Sequence, residues 1–361
     1  VWRTFRSIRD DRFLVLATIA AAYFSLLGAF IQMNMIPFAI EHLGLSETAG
    51  GYLFIYAALG IGLGSWLAGR LSGRNIEFGA IPIGAILIAA SLLALWGLPH
   101  DPRWTRVWML TVGVGAGIYL IPIEAFIQFR APRNRVGEVL AASSFLSWIG
   151  ILGAAFLIFG LSFVPQWTPA QTFLLLGLIT LGLTVATLIL LPDFLTRFLI
   201  MVLTRSVYRI RTIDLDNLPD EGGALLVSNH VSYLDALHIL SVQQRRIRFL
   251  MERSIYEGHT LRPLFRLMGV IPISRTDPPR TLIETFQRAR TEMEAGYLVC
   301  IFAEGALTRT GQMTDFKPGM EKILKGTDFP VIPIYIGGTW GSRFSHYHHG
   351  RSKPPIRWHY P

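Results

Sequence analysis

Ala224-Leu225-Leu226-Val227-Ser228-Asn229-His230-Val231-Ser232-Tyr233-Leu234-Asp235 decides the reading of the second half of this chain. The apolar run Ala224–Val227 reads as a strand, the polar Ser228-Asn229 pair ends it, and a helix is expected to start near Ser232. On a regular helix, residues five apart lie on well-separated faces. His230 and Asp235 can therefore meet only if the segment begins as a turn. In that geometry Asp235 holds the imidazole in one tautomer and His230 takes a proton from a hydroxyl, a general-base contribution of roughly 10²–10⁴ in rate. Taken alone, a His and an Asp near a helix start are more often surface polar residues, so the pair needs support from the sequence around it.

Outward from this stretch, short β-rich runs alternate with helical ones from 207 onward. Strands are expected at 207–215, 224–228, 247–251, 269–274, 297–302 and 330–336, and helices at 232–243, 254–268, 279–295 and 318–326. The alternation predicts an α/β domain with a mixed sheet and an active site at strand ends. Phe302-Ala303-Glu304-Gly305 closes one of these runs in a tight turn. Arg275 ends another, presenting a planar fork of donors suited to a phosphate; its plainer reading is a surface salt bridge with Asp277. Cys300, the single cysteine, excludes an intrachain disulfide and reads as packing inside the strand Tyr297–Phe302.

Before residue 197 the composition changes. The 361-residue chain is long enough for two domains, and with 52% hydrophobic and 16% charged residues it is too apolar for an ordinary soluble enzyme. Six stretches near 13–40, 50–69, 78–98, 107–129, 138–162 and 171–192 are long enough to cross a hydrocarbon core as helices. Basic residues gather at alternate loops: Arg3, Arg6, Arg9 and Arg12; Arg70 and Arg74; Arg130, Arg133 and Arg135; Arg197, Arg205, Arg209 and Arg211. The other loops hold Arg103 and Arg106, so both ends of the block are expected to face the cytoplasm. The net charge of +9 is accordingly read as attraction to anionic lipid, worth about 1 kcal/mol per basic residue, rather than to nucleic acid. Gly60, Gly62 and Gly64, like Gly113, Gly115 and Gly117, are spaced to let helices approach closely. Glu124, inside the fourth span after Pro122, is a transport candidate by its depth; the plainer reading has it snorkel or pair with Arg130. Gln32 and Asn34 read as interhelical hydrogen-bonding residues. Asp193–Arg205, apolar with basic residues at intervals, fits an interfacial helix or a continuation of the sixth span.

The motifs of the second half carry a resemblance. Asn229-His230-Val231-Ser232-Tyr233-Leu234-Asp235 resembles the first block of the glycerolipid, PlsC-like, acyltransferase family. Gly269–Arg275 resembles the second block, ending in an arginine that binds the acceptor's phosphate. Phe302-Ala303-Glu304-Gly305 resembles the third, usually Phe-Pro-Glu-Gly, and Val331-Ile332-Pro333-Ile334 the fourth. The four blocks cover about 207–345. The resemblance implies catalytic roles for His230 and Asp235, and substrate contacts for Asn229, Arg275, Glu304 and Gly305. Ala303 in place of proline is expected to loosen that turn. Thr308, Arg309 and Lys317 are expected to serve the lipid headgroup or an acidic acyl carrier; as a plain residue, Lys317 is a solvated cation at a helix start. Upstream, Gly64–Arg74 resembles the glycine-and-arginine loop of major facilitator transporters, with an Ala-Gly pair where an acidic residue is common.

The expected organisation is a six-helix transmembrane domain at 1–192 resembling half of a major facilitator transporter, an interfacial linker helix at 193–206, and a PlsC-like α/β acyltransferase domain at 207–361, truncated at its end. The order is similar to bacterial fusions of a lysophospholipid transporter with a 2-acylglycerophosphoethanolamine acyltransferase. The implied protein lies in a bacterial inner membrane with its acyltransferase domain cytoplasmic. It acylates a lysophospholipid from acyl carrier protein or coenzyme A, with no cofactor beyond that donor. Two rivals stay open: 1-acylglycerol-3-phosphate as acceptor with the spans as anchor, and a lipid transporter or flippase with a regulatory C-terminal domain. His346, His348 and His349 read as ordinary loop histidines, and no metal is expected. The chain opens on Val1 and reads as a piece of something longer.

Overall fold

The computed structural model describes residues 11–72, 76–99, 101–190 and 192–347. Arg3, Arg6, Arg9, Arg74, His348 and His349 lie outside them. The chain divides into two compact units, Val1–Phe198 and Leu199–Pro361.

The first unit is helical: α1 (Arg12–Leu43), α2 (Glu47–Gly51), α3 (Leu53–Ser72), α4 (Ala80–Gly97), α5 (Pro102–Arg130), α6 (Val136–Leu161) and α7 (Pro169–Leu190). With α2 and α3 read as one segment, six helices among the described residues are long and apolar enough to cross a membrane. Their ends follow capping chemistry. Asp11 accepts from Leu14 N at the start of α1, Gly44 ends that helix at φ +63°, and Asp101 caps α5 ahead of Pro102. Phe30, Met35, Phe38, Leu92, Met109 and Phe173 form the interior. Outward-facing Trp148, Phe156, Phe163 and Ile189 are largely exposed, the pattern of a bundle whose outer solvent is lipid. Glycine sets the closest packing. A Cβ on Gly60 or Gly64 would strike the α5 backbone at Leu110 O or Val114 O, and Gly113 meets Ala57 O in return. Gly115 faces Gly84 of α4 instead, while Gly62 has open space. Asn34 makes an interhelical bond to Pro169 O (2.8 Å); Gln32 is exposed.

Helix α8 spans Pro192–Val207 and so extends beyond Phe198, the last residue of the first unit. Within the first unit its Arg197 pairs with the fully buried Glu77, and Phe194 and Phe198 close over Gly79.

The second unit holds β1 (Ala224–Ser228), α9 (Asp235–Val242), β2 (Ile247–Glu252), α10 (Arg253–Tyr256), α11 (Arg262–Leu267), β3 (Ile271–Ile273), α12 (Pro279–Glu294), β4 (Leu298–Phe302), α13 (Gly319–Leu324) and β5 (Val331–Ile334). The sheet order is β3-β2-β4-β1-β5, and every strand pair is parallel. The expected mixed sheet is corrected here. Each connection contains a helical crossover, which returns the chain to the same end of the sheet. β1 is buried on both faces, as a strand inside a parallel sheet must be. Leu225, Val227 and Val299 pack on Phe286, Ala289 and Met293 of α12. Ala224, Leu226, Leu298 and Cys300 pack on Ile239 and Leu240 of α9. Each such leucine or valine contributes about 1.5–3 kcal/mol relative to exposure.

Two further readings change. No strand forms over 207–215; a short 3₁₀ turn at Leu215–Asn217 follows Asp214, which sits at φ +57°. The β-branched residues Val207, Ile210, Thr212 and Ile213 mimic a strand in composition, but Ile213 is 75% exposed and has no sheet to face. The helix expected over 254–268 splits into α10 and α11 around Gly258-His259-Thr260, with Pro263 in the first turn of α11.

Candidate active site

His230, Arg275 and Glu304 each stand two residues beyond a strand, β1, β3 and β4 respectively, at the carboxyl ends of a parallel sheet. This is where open α/β sheets bind ligands. β1 and β4 are neighbours with Ser228 opposite Phe302, so His230 and Glu304 leave the sheet side by side.

The segment after β1 turns around Asp235. Its Oδ2 accepts from Val231 N (2.7 Å) and Ser232 N (2.8 Å) and stands 2.9 Å from His230 Nδ1. Helix α9 therefore begins at Asp235 itself, which lets residues five apart meet. Asp235 is fully buried. Burial alone pushes its carboxyl up, but the His230 and His238 imidazoles and the N–H groups of Ser232 and Val231 outweigh that and hold it below the usual carboxylate range. The His238 ring is 3.9 Å from Oδ1, too long for a hydrogen bond yet close enough to act on the charge. Phe302 stacks under the His230 ring, with centroids 4.0 Å apart at 16°. With Nδ1 facing Asp235 and one ring face covered, Nε2 is the ring nitrogen turned away from both, on a side chain that is 21% exposed.

Glu304, 2% exposed, is turned inward. Its Oε1 accepts from His230 N (2.9 Å), and its Oε2 from Thr314 N (2.8 Å) and Thr314 Oγ1 (2.9 Å). Asn229 is likewise engaged: Nδ2 donates to Ile336 O (3.0 Å), and Oδ1 accepts from Ile336 N (2.7 Å). Thr308 Oγ1 donates to Gln312 O (2.6 Å) and accepts from Gly311 N (3.1 Å), while Thr308 N donates to His230 O (2.9 Å). These three were read as substrate contacts, but the structure turns their polar atoms to the protein itself. The looser turn expected from Ala303 is also corrected. Ala303 N donates to Ser228 O (3.2 Å), a bond that proline could not make.

The exposed cations fall elsewhere. Arg275 does not pair with Asp277, which takes Arg253 in a two-pronged contact (3.0 and 2.9 Å); that bond, first among its causes, holds the Asp277 carboxyl low. Arg275 Nη2 instead reaches Gly305 O (2.9 Å). Gly305 adopts φ +68°, and a Cβ there would stand 3.5 Å from both Arg275 Nη2 and Lys317 Cγ. Arg275 and Lys317 thus flank one exposed backbone turn, and Arg309 is exposed four residues further along the chain from Gly305. Among the described residues, Arg275, Arg309 and Lys317 form no ion pair. The Cys300 thiol is pushed up by burial and then by the Asp235 charge, which leaves no reactive thiolate. His346 lies against Tyr233.

The first unit contains a second candidate. Glu124, Ser143, Ser144, Ser147 and Trp148, with Leu140 and Ile151, line a cavity of about 230 Å³. Arg130 pairs with Asp11 (2.6 Å) rather than Glu124. Among the described residues nothing bonds the Glu124 carboxylate.

Sequence reasoning missed Thr314, Phe302 as a ring beneath His230, and His238. The last was readable, since three residues from Asp235 is one helix face.

Residues 209–337 match the family model described as Acyltransferase, and residues 1–155 the one described as Major Facilitator Superfamily. Curated proteins similar to this chain include 1-acyl-sn-glycerol-3-phosphate acyltransferase LPAT1, chloroplastic, of Arabidopsis thaliana, 32% identical over 37% of this chain and 37% of that protein. The corresponding BAT2 of Brassica napus is 33% identical over 37% and 40%. A probable 1-acyl-sn-glycerol-3-phosphate acyltransferase of Mycoplasma pneumoniae is 23% identical over 37% and 51%. The chain thus spans about two fifths of the first two relatives. No solved structure matches.

Proposed function

In a chain that joins a Major Facilitator Superfamily region to an Acyltransferase family domain, we propose that the second unit moves a fatty acyl group from a thioester of acyl carrier protein or coenzyme A to the free hydroxyl of a lysophospholipid. The observation that carries this reading is the His230–Asp235 pair, joined through Glu304 to a turn where Arg275 and Lys317 converge on Gly305. His230 Nε2 takes the hydroxyl proton while Asp235 stabilises the imidazolium. The hydroxyl oxygen then bonds to the thioester carbonyl carbon, the C–S bond breaks as the tetrahedral intermediate collapses, and the thiolate leaves with the proton from Nε2. Arg275 and Lys317 hold the acceptor's phosphate, with Arg309 as a further cation for headgroup or carrier. Asn229, Glu304 and Thr308 shape the loop that holds His230.

The relatives, named as 1-acyl-sn-glycerol-3-phosphate acyltransferases, favour 1-acylglycerol-3-phosphate as acceptor, and a phosphate monoester suits three cations that form no ion pair among the described residues. A second reading, a 2-acylglycerophosphoethanolamine-like acceptor brought by the membrane block, is favoured by the Glu124 cavity within the spans. The alternating arginine-rich loops support a bacterial inner-membrane protein with this domain cytoplasmic. The division into a 1–192 membrane domain, a 193–206 linker and a 207–361 transferase belongs to the same proposal.

The test offers labelled acyl-carrier protein in detergent to lysophosphatidate and lysophosphatidylethanolamine side by side. Transfer to either, lost in His230→Ala, supports the mechanism, and the preferred acceptor chooses between the two readings. Wild-type turnover in His230→Ala would remove His230 as the base.

A further inference from the structure

Asp235 uses its two carboxylate oxygens unequally. Oδ2 serves three donors, while Oδ1 is enclosed and bonds to nothing among the described residues. One turn along α9, the His238 ring is 7% exposed, and both of its nitrogens are enclosed and unbonded. Its Nδ1 faces Oδ1 across 3.9 Å. An orphan carboxylate oxygen and an orphan imidazole nitrogen, buried and facing each other, call for an explanation that packing does not give. A small side-chain rotation satisfies both. On its other side, Tyr208 meets the ring edge-to-face at 4.8 Å.

We propose that His238 is a positioning residue whose Nδ1–H serves Asp235 Oδ1, so that one carboxylate is held between two imidazoles. This deepens, and rests on, the acyl-transfer reading of the His230 site. Sharing the carboxylate has two consequences. It fixes the plane of the carboxylate, and hence the line from Oδ2 to His230 Nδ1. It also draws charge toward Oδ1, so Oδ2 pulls less strongly on the proton that His230 must release to the departing thiolate. The charged and titratable groups around the pair are His230 from the turn, Cys300 from β4, Tyr208 after α8, and Arg205, whose Nε bonds Ser241 O (3.1 Å) on the same turn as His238. None of these offers a donor to Oδ1 in its place.

The test uses two substitutions that separate a donor from a space-filler. His238→Phe keeps a ring against Tyr208 and removes the donor. His238→Asn loses the ring but keeps an N–H at the position of Nδ1. The readout is the pH profile of diethylpyrocarbonate labelling at His230, followed by mass spectrometry on the full chain; it does not require acyl transfer to occur. The midpoint is expected to rise by roughly half a pH unit in His238→Phe, the size of one lost neutral hydrogen bond to a buried carboxylate, and to stay near wild type in His238→Asn. A pure packing role predicts the reverse, a benign Phe and a disruptive Asn. An unmoved midpoint in His238→Phe, or equal shifts in both variants, overturns the proposal. Acyl transfer measured in parallel with His230→Ala reports on the reaction itself, so the failure of one reading is distinguishable from failure of the other.

Discussion

The Glu304 carboxylate accepts from the backbone of His230 on one side and from Thr314 on the other, at 2% exposure. A glutamine there retains one acceptor oxygen and turns an NH₂ toward a buried N–H donor, stranding it at a cost of about 1–3 kcal/mol. Because the stranded contact supports the His230 backbone, Glu304→Gln is expected to lower kcat about tenfold or more while acceptor KM moves much less. Arg275→Ala should do the opposite, raising acceptor KM roughly tenfold through loss of a charged hydrogen bond. Steady-state kinetics with varied acceptor checks both, and a Glu304→Gln defect confined to KM would return that carboxylate to the acceptor. The strand-end placement of His230 and Arg275 and the contact of His230 with Asp235 were legible because residue type and position after an apolar run point the same way. The sequence could not show which way Glu304, Asn229 and Thr308 face. A short polar side chain at a turn serves the backbone or a ligand equally well, and tertiary burial decides between them.

Among the elements, close packing of α3 on α5 rests on residues that contribute no side chain. Gly64 abuts Val114 O, whereas Gly62, on the same helix, has nothing within 4 Å of its Cβ position. Gly64→Leu is therefore expected to destabilise the bundle by about 1–3 kcal/mol or more, since the obstructing atoms are backbone and cannot repack. Gly62→Leu should be close to neutral. Thermal unfolding of the purified chain in detergent compares the two, and equal effects would mean that α3 and α5 do not meet along this face. The spans were readable from length and hydropathy, and β1, β2 and β4 from apolar runs bounded by turns. The failures share a cause. The 207–215 segment has strand composition without a partner strand, and 254–268 has helical composition interrupted by Gly258 and Pro263. Strand direction, read as mixed, depends on crossovers that no local pattern records.

At the scale of the molecule, two units carry two sets of polar groups that no acyl transfer mechanism unites. The residues proposed for acyl transfer all lie beyond Leu199, while Glu124 and its cavity lie in the helical unit. A carboxylate at membrane depth is expensive to keep, and those that persist usually serve a path or a partner. Arg130, the plain partner by sequence, is occupied by Asp11. The serines beside Glu124 are unusual in the same sense. Ser91, Thr180 and Thr184 donate to the carbonyl four residues back, as hydroxyls in apolar helices commonly do. Ser143, Ser144 and Ser147 make no such bond among the described residues, which leaves their hydroxyls to the cavity. If this cavity lies on a lysolipid path, Glu124→Gln should lower uptake of a fluorescent lysophospholipid into proteoliposomes about tenfold, the scale of one lost charged contact. His230→Ala should leave that uptake intact while abolishing transfer. Wild-type uptake by Glu124→Gln would take the carboxylate off the path and leave the spans as an anchor. Loss of uptake in His230→Ala would mean that movement of the lipid is driven by its acylation, so that the helical unit has no transport of its own.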